Sequence, residues 1–350
     1  MGQWRWGWGC AAACVLAFGM TAGAQDAGGS PHPAHYRLVK TLPLTNSGGW
    51  WDYLGRNPED RQIYVSAGNQ IIVVNADTYD IEGTIGPLNG THGVAISHRD
   101  EHGFTSNGGS NDTTEFDAKS LQVMRTIPLP IQRPDGLIHD PATDRIFFFN
   151  HNGQAAAVDA SSGKVVGTVE LPSKDAEFAA ADGHGHVFDN LEDSSQVVEI
   201  DAKTLKIMNV WPLAPCEHPS GMAMDTYHKR LFVGCHNQML AVMNAETGKV
   251  VTTLPIGPGV DAVRFDAKFS RVFASSGGNG GTITVIHEDN PNRYTLLGNL
   301  KTQAGARTME LDPETHKVFT VTAQFQPPAP GQRRGRMVPG SFHLLVYWDY

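Results

Sequence analysis

VVNADTYD (73–80), EFDAKSLQ (115–122), AVDASSGK (157–164), EIDAKTLK (199–206) and VMNAETGK (242–249) are copies of one pattern. In each, an apolar run meets an Asp or Asn, and a short polar turn leads into a second run. The turn residues Asn75, Asp117, Asp159, Asp201 and Asn244 stand 42, 42, 42 and 43 positions apart, and His287 extends the series by another 43. Self-similarity at such a period marks a repeat architecture. Alternating β-branched runs joined through an Asx-rich turn are hairpin chemistry. Period-2 alternation and the scarcity of helical-period stretches exclude a helical solenoid.

Working outward, each turn is followed by a second marker: TIGP (84–87), TIPL (126–129), TVEL (168–171), VWPL (210–213) and TLPI (253–256). TLPL (41–44) has the same form but precedes every copy of the turn. Its strand, YRLVKTLPL (36–44), lacks an upstream hairpin partner, while FHLLVYWD (342–349) lacks a downstream one. Pairing the two completes a seventh unit and removes both unpaired edges of an open ring. A third marker opens each unit with an inner strand, a polar turn and a second strand, as in DGLIHDPATDRIFFF (135–149) and SGMAMDTYHKRLFVG (220–234). Four strands per unit and seven units predict an all-β, seven-bladed β-propeller. It forms one domain over residues 36–350, closed by its N-terminal strand against its C-terminal strand.

The 350 residues include 38 Gly and 21 Pro, which suits many short strands and tight turns. The formal charge of -9 repels phosphate backbones and argues against general nucleic-acid binding. Residues 1–24 read as a secretory signal: Arg5, an apolar core from Cys10 to Met20 too short to span a bilayer, and Ala22-Gly23-Ala24 as a cleavage pattern. The expectation is a periplasmic or secreted protein cleaved near Ala24, with a flexible segment at 25–35 and no transmembrane segment in the mature chain. Cleavage leaves two cysteines, Cys216 and Cys235.

GWWDYL (49–54), GFTSNG (103–108), LAPCEHPSGMAMD (213–225), LFVGCHN (231–237), GVDAVRFD (259–266), GARTMELD (305–312) and PGSFHLLV (339–346) resemble the YncE-like, YVTN-repeat bacterial propellers. The resemblance covers nearly the whole mature chain. It implies the seven-bladed fold, export and the repeat register, and carries little functional information. The second strands depart from the YVTN type, as IYVS, FFFN and LFVG.

In a propeller the inner strands start, and the second strands end, on one face around the mouth of the central channel. Equivalent positions at the inner-strand starts are Asp52, His92, Asp135, Glu177, Ser220, Asp261 and Arg307. Carboxylates so close must bind a cation, pair with a base or stay protonated. One reading is a hard divalent cation such as Ca²⁺, with Asp135, Glu177 and Asp261 as oxygen ligands, or a small cationic ligand. The other is that each acid caps backbone N–H groups of a neighbouring loop. His92 and Arg307 break the repetition and are the better functional candidates. The second-strand ends, Asn107, Asn150, Asn190, Cys235 and Ser276, read as turn residues.

Cys216 and Cys235 fall on the same face of the fifth blade, and an even pair in an oxidising compartment reads as a disulfide. The alternatives are a soft-metal site of Cys216, His218, Cys235 and His236, or free thiols. Trp50 and Trp51 form either an aromatic stacking platform or a seal between blades. The Pro- and Arg-rich loop 326–340, with Arg333, Arg334 and Arg336, reads as a lid, a docking arm or a flexible insertion. Two function classes follow. One is a binding module presenting its mouth to a cation, a small ligand or an envelope protein. The other is a metal-assisted, lactonase-like hydrolase, by fold-level analogy. Ser-His-Asp spacing, a nucleophile elbow, a phosphate loop and a zinc motif are all missing from the sequence, which favours the binding module.

Overall fold

The Asx turns form around the side chains that mark the repeat. Asn75 Oδ1 accepts the N–H groups of Asp77 and Thr78 at 2.9 and 3.0 Å, and Asn244 Oδ1 those of Glu246 and Thr247 at 2.9 and 3.0 Å. The turn then needs a left-handed residue. Leu121 and Leu205 adopt it at φ 60° and 58°, whereas Gly163 and Gly248 fill it without a Cβ penalty.

A computed structural model describes residues 1, 35–46, 49–329, 331 and 335–349. Apart from Met1 and His35, the expected signal at 1–24 and the segment 25–35 lie outside the described residues, as do Arg333 and Arg334. The strands form seven four-stranded sheets. The first blade runs Leu54–Asn57, Gln62–Ser66, Ile71–Asn75 and Ile81–Ile85. The seventh combines Met309–Leu311, Val318–Thr322 and His343–Trp348 with Arg37–Pro43 from the other end of the chain. These last two strands pair antiparallel, with Thr41 opposite Leu345 and Pro43 opposite His343. Successive inner strands are neighbours, and the first also meets the seventh, so the ring closes. Arg61 of the first blade adds a two-pronged bond to Asp312 of the seventh, at 2.8 and 2.6 Å.

Middle strands lie between two neighbouring blades and are therefore buried on both faces, as in Arg145–Asn150. The outermost strands face water, and Val123–Pro128 is exposed along most of its length. Seven apolar clusters fill the spaces between blades, around residues such as Phe104, Phe147, Phe188, Phe232, Phe273 and Phe319. Each such buried ring contributes roughly 1.5–3 kcal/mol. Among the described residues, no helix is long and apolar enough to cross a membrane.

One irregularity positions the site. In the second to sixth blades the inner strand breaks register against its partner near its start, between Thr91 and Val94, Pro134 and Leu137, Ala176 and Ala179, Pro219 and Met222, and Val260 and Ala262. His92, Asp135, Glu177, Ser220 and Asp261 occupy these breaks. A bulge frees a residue from the ladder and re-aims its side chain, here at the channel mouth. Close packing of the inner strands is part of the arrangement. A Cβ on Gly136 would lie 2.2 Å from the carbonyl oxygen of Glu177.

Candidate functional site

The inner-strand starts surround a cavity of about 390 Å³ at the channel mouth. Asp52, Asp135, Glu177, Asp261 and Arg307 line it, joined by Tyr53, His151 and His236. Tyr53 also lines a second cavity of about 400 Å³ deeper in the channel. Its ring packs edge-on against Phe178, which lines that second cavity, at 5.0 Å.

The acids are bound by side chains. Among the described residues none of the four carboxylates accepts a backbone N–H, so they do not cap neighbouring loops. His92 Nδ1 lies 2.7 Å from Asp52 Oδ2 and 3.1 Å from Asp135 Oδ1. His151 Nε2 lies 2.7 Å from Asp135 Oδ2. The Arg307 guanidinium pairs with Asp261 through Nε and reaches Asp52 Oδ1 at 3.4 Å. Ser220 Oγ donates to Asp261 at 3.0 Å, and the Tyr53 hydroxyl to Glu177 at 3.4 Å.

Burial and pairing oppose each other here, and the winner differs by residue. Burial alone would lower His92, but its bonds to Asp135 and Asp52 push it up to about 10. Burial would raise Asp135, yet His151 and His92 hold it below the usual carboxylate range. Bonding to Asp135 raises His151 against its partial burial. Glu177 has no cation of comparable closeness. Burial, reinforced by Asp135 and Asp261, raises it well above the ordinary carboxylate range. Asp52, Asp135 and Asp261 face His92, His151 and Arg307, and burial raises Asp52 despite its bond from His92.

The candidate metal set changes as well. The donor atoms that come within 4.8 Å of one another belong to Asp52, His92 and Asp135, and neither Glu177 nor Asp261 joins that group. His92 Nδ1 bonds Asp52 and lies close to Asp135 as well. A cation among these three would have to replace the His92–Asp52 bond.

The two tryptophans separate. Trp50 tilts over His92 with ring centroids 5.0 Å apart, on the mouth side. Trp51 is 4% exposed, packed between Phe325 and Phe342 in the apolar cluster of the first and seventh blades. It seals the blades and is no part of a stacking platform. Phe325 belongs to the base of the long loop, where Gln326 N–H donates to Arg336 O and Val338 N–H to Gln324 O, both at 2.8 Å. That base is therefore an ordered ribbon laid over Trp51.

Cys216 and Cys235 form a disulfide with Cα atoms 5.8 Å apart, which removes both thiolates from any soft-metal site. His151 and Tyr53 were missed in the sequence. His151 directly follows Asn150 at a second-strand end, and Tyr53 directly follows Asp52. Adjacency to the marked positions was the only available signal.

No family model and no curated protein sequence matches the chain. Solved propellers do. "Crystal structure of RRP9 WD40 repeats" aligns with a TM-score of 0.75 at 12% identity, over 91% of this chain and 99% of that one. "Structure of U3-55K" gives 0.72 at 12%, over 90% and 99%. "Crystal Structure of Mitotic Checkpoint Complex" gives 0.74 at 14%, over 97% and 99%. At such identities the chain is similar to these structures in fold.

Proposed function

We propose that this chain is an exported, YncE-like propeller acting as a binding module, which takes a small polar ligand into the channel mouth. The observation that carries the reading is the 390 Å³ cavity lined by Asp135, Glu177, Asp261, His151 and Arg307. These groups come from four blades, Asp135, Glu177 and Asp261 sit in bulges, and Asp135 and Asp261 are held by His151 and Arg307. A rigid, concave site with a few convergent polar groups is how small ligands are recognised. The ligand suited to it carries a cationic or donor group toward Asp135 and Asp261, and a polar group that hydrogen-bonds Glu177. Export follows from the reading of residues 1–24 and agrees with the disulfide. Recognition of an envelope protein by the same face is compatible with this, since one similar structure comes from a multi-protein complex.

A metal-assisted, lactonase-like hydrolase is the second reading, favoured by the Asp52, His92 and Asp135 cluster. A thermal-shift screen of amines, amino acids, sugars and lactones separates the two, with hydrolysis of the lactones followed in parallel. The binding reading expects stabilisation by one polar class, lost in Asp261→Asn, with no turnover. Metal-dependent lactone turnover, or a screen with no hit, would reject it.

A further inference from the structure

At the end of the ring opposite the mouth, the sixth blade departs from the repeat with a buried acid, and the seventh has Asp349 there, paired with Arg271. In five blades the residue after the turn Asp or Asn is alanine, and Ala76, Ala118, Ala160, Ala202 and Ala245 are all buried. Each donates its N–H to the carbonyl just before its blade's second strand. In the sixth blade Glu288 makes the equivalent bond to Ser270, so a carboxylate occupies the alanine position. Glu288 is 4% exposed. Its Oε1 accepts the Tyr294 hydroxyl at 3.0 Å, while its Oε2 is buried without a hydrogen-bond partner. An unsatisfied buried carboxylate is costly, and the fold does not require one where alanine serves five times.

The strands carrying it, Thr282–Asn290 and Arg293–Lys301, are nine residues each, longer than any other among the described residues. Their extension sets Glu288 against the turn that follows Asp225 in the fifth blade. His228 Nδ1 lies 2.6 Å from Asp225 Oδ2 and 3.6 Å from Glu288 Oε1. One donor atom from each of the three residues falls within 4.8 Å of the others. Nearby cations are engaged elsewhere. Arg230 bonds the carbonyls of Pro291 and His228, Lys229 pairs with Glu246, and Arg293 with Asp289. Two carboxylates are left to share one imidazole.

We infer that Asp225, His228 and Glu288 form a binding site for a divalent first-row transition ion of the zinc class, joining the fifth and sixth blades. One nitrogen and two carboxylates match that class, whereas Ca²⁺ takes six to eight oxygens. Zinc–ligand bonds of about 2.0–2.1 Å place tetrahedral donors about 3.3 Å apart. The His228–Glu288 separation of 3.6 Å is already close to this. The His228–Asp225 pair opens when the ion replaces their shared proton. The Tyr294 hydroxyl orients Glu288, and the Tyr227 N–H bonds Asp225 Oδ1 at 2.9 Å, as outer partners of metal ligands do. His228 has a side chain 35% exposed, which leaves an entry path. This site is separate from the mouth and does not rest on the reading given to it.

The test is calorimetric titration of Zn²⁺ into the full chain, free thiols blocked, alongside Glu288→Ala and Tyr294→Phe. Glu288→Ala installs the residue that five blades carry, so it folds. Wild type is expected to bind one Zn²⁺ with a rise in Tm, Tyr294→Phe to bind it about 10-fold more weakly, and Glu288→Ala to lose it. Absence of Zn²⁺ binding by wild type, or unchanged binding by Glu288→Ala, would overturn the assignment.

Discussion

His92 Nδ1 lies 2.7 Å from Asp52 Oδ2, so the second blade is tied to the first by a charged hydrogen bond at the channel mouth. The same nitrogen faces Asp135 of the third blade at 3.1 Å. Replacing His92 with Gln keeps the volume but leaves two carboxylates without their cation. A loss of roughly 3 kcal/mol is expected in urea unfolding, as for other broken buried pairs.

The effect of that substitution depends on pH with a definite sign. His92 is raised from 6.5 to about 10 in the folded chain. Its contribution is complete below the unfolded value and is lost as pH rises through the folded one. The difference in stability between wild type and His92→Gln should therefore shrink from about pH 6.5 toward pH 10. A constant difference across that window would contradict the pairing.

Asp312 shows the opposite dependence. Its burial favours the neutral acid, but the bonds from Arg61 and Thr315 lower it to about 2. The stability it adds is present above the unfolded value near 3.9 and disappears as pH falls through about 2. Arg61→Met should cost about 2–3 kcal/mol at neutral pH, and acid unfolding followed by circular dichroism should begin at a higher pH than in wild type.

Closure and mouth were legible in the sequence to different depths. The unpaired segments 36–44 and 342–349 had to meet because each lacked one neighbour, and edge strands need partners. Spacing likewise assigned Asp52, His92, Asp135, Glu177, Asp261 and Arg307 to equivalent inner-strand positions. Sequence could not give their pairing, because the bulges re-aim these side chains and His151 enters from a second strand. Trp51 turned inward for a comparable reason. Its partners, Phe325 and Phe342, flank a loop in the last blade, beyond the reach of local pattern. Glu288 went unmarked in the sequence, because only the structure sets it beside Asp225 and His228.

Deleting Arg37–Pro43 would leave the edge of His343–Trp348 unpaired. Such a chain is expected to self-associate beyond wild type in size-exclusion chromatography with light scattering. An unchanged profile with full β-sheet content would show that closure contributes little.

Reducing the buried Cys216–Cys235 bridge, or replacing both residues with Ala, should cost roughly 3 kcal/mol for a loop of about 20 residues. Urea midpoints with and without reductant, compared with the double variant, measure it. The mouth cavity should keep its shape, because the bridge contributes no lining residue.

Native mass spectrometry of the protein purified from its own envelope or medium tests the mouth most directly. The account predicts a small molecule bound to wild type under native conditions, released on denaturation, and missing from a Glu177→Gln, Asp261→Asn double variant. A wild-type mass equal to the polypeptide alone, or the same bound mass in the variant, would contradict it.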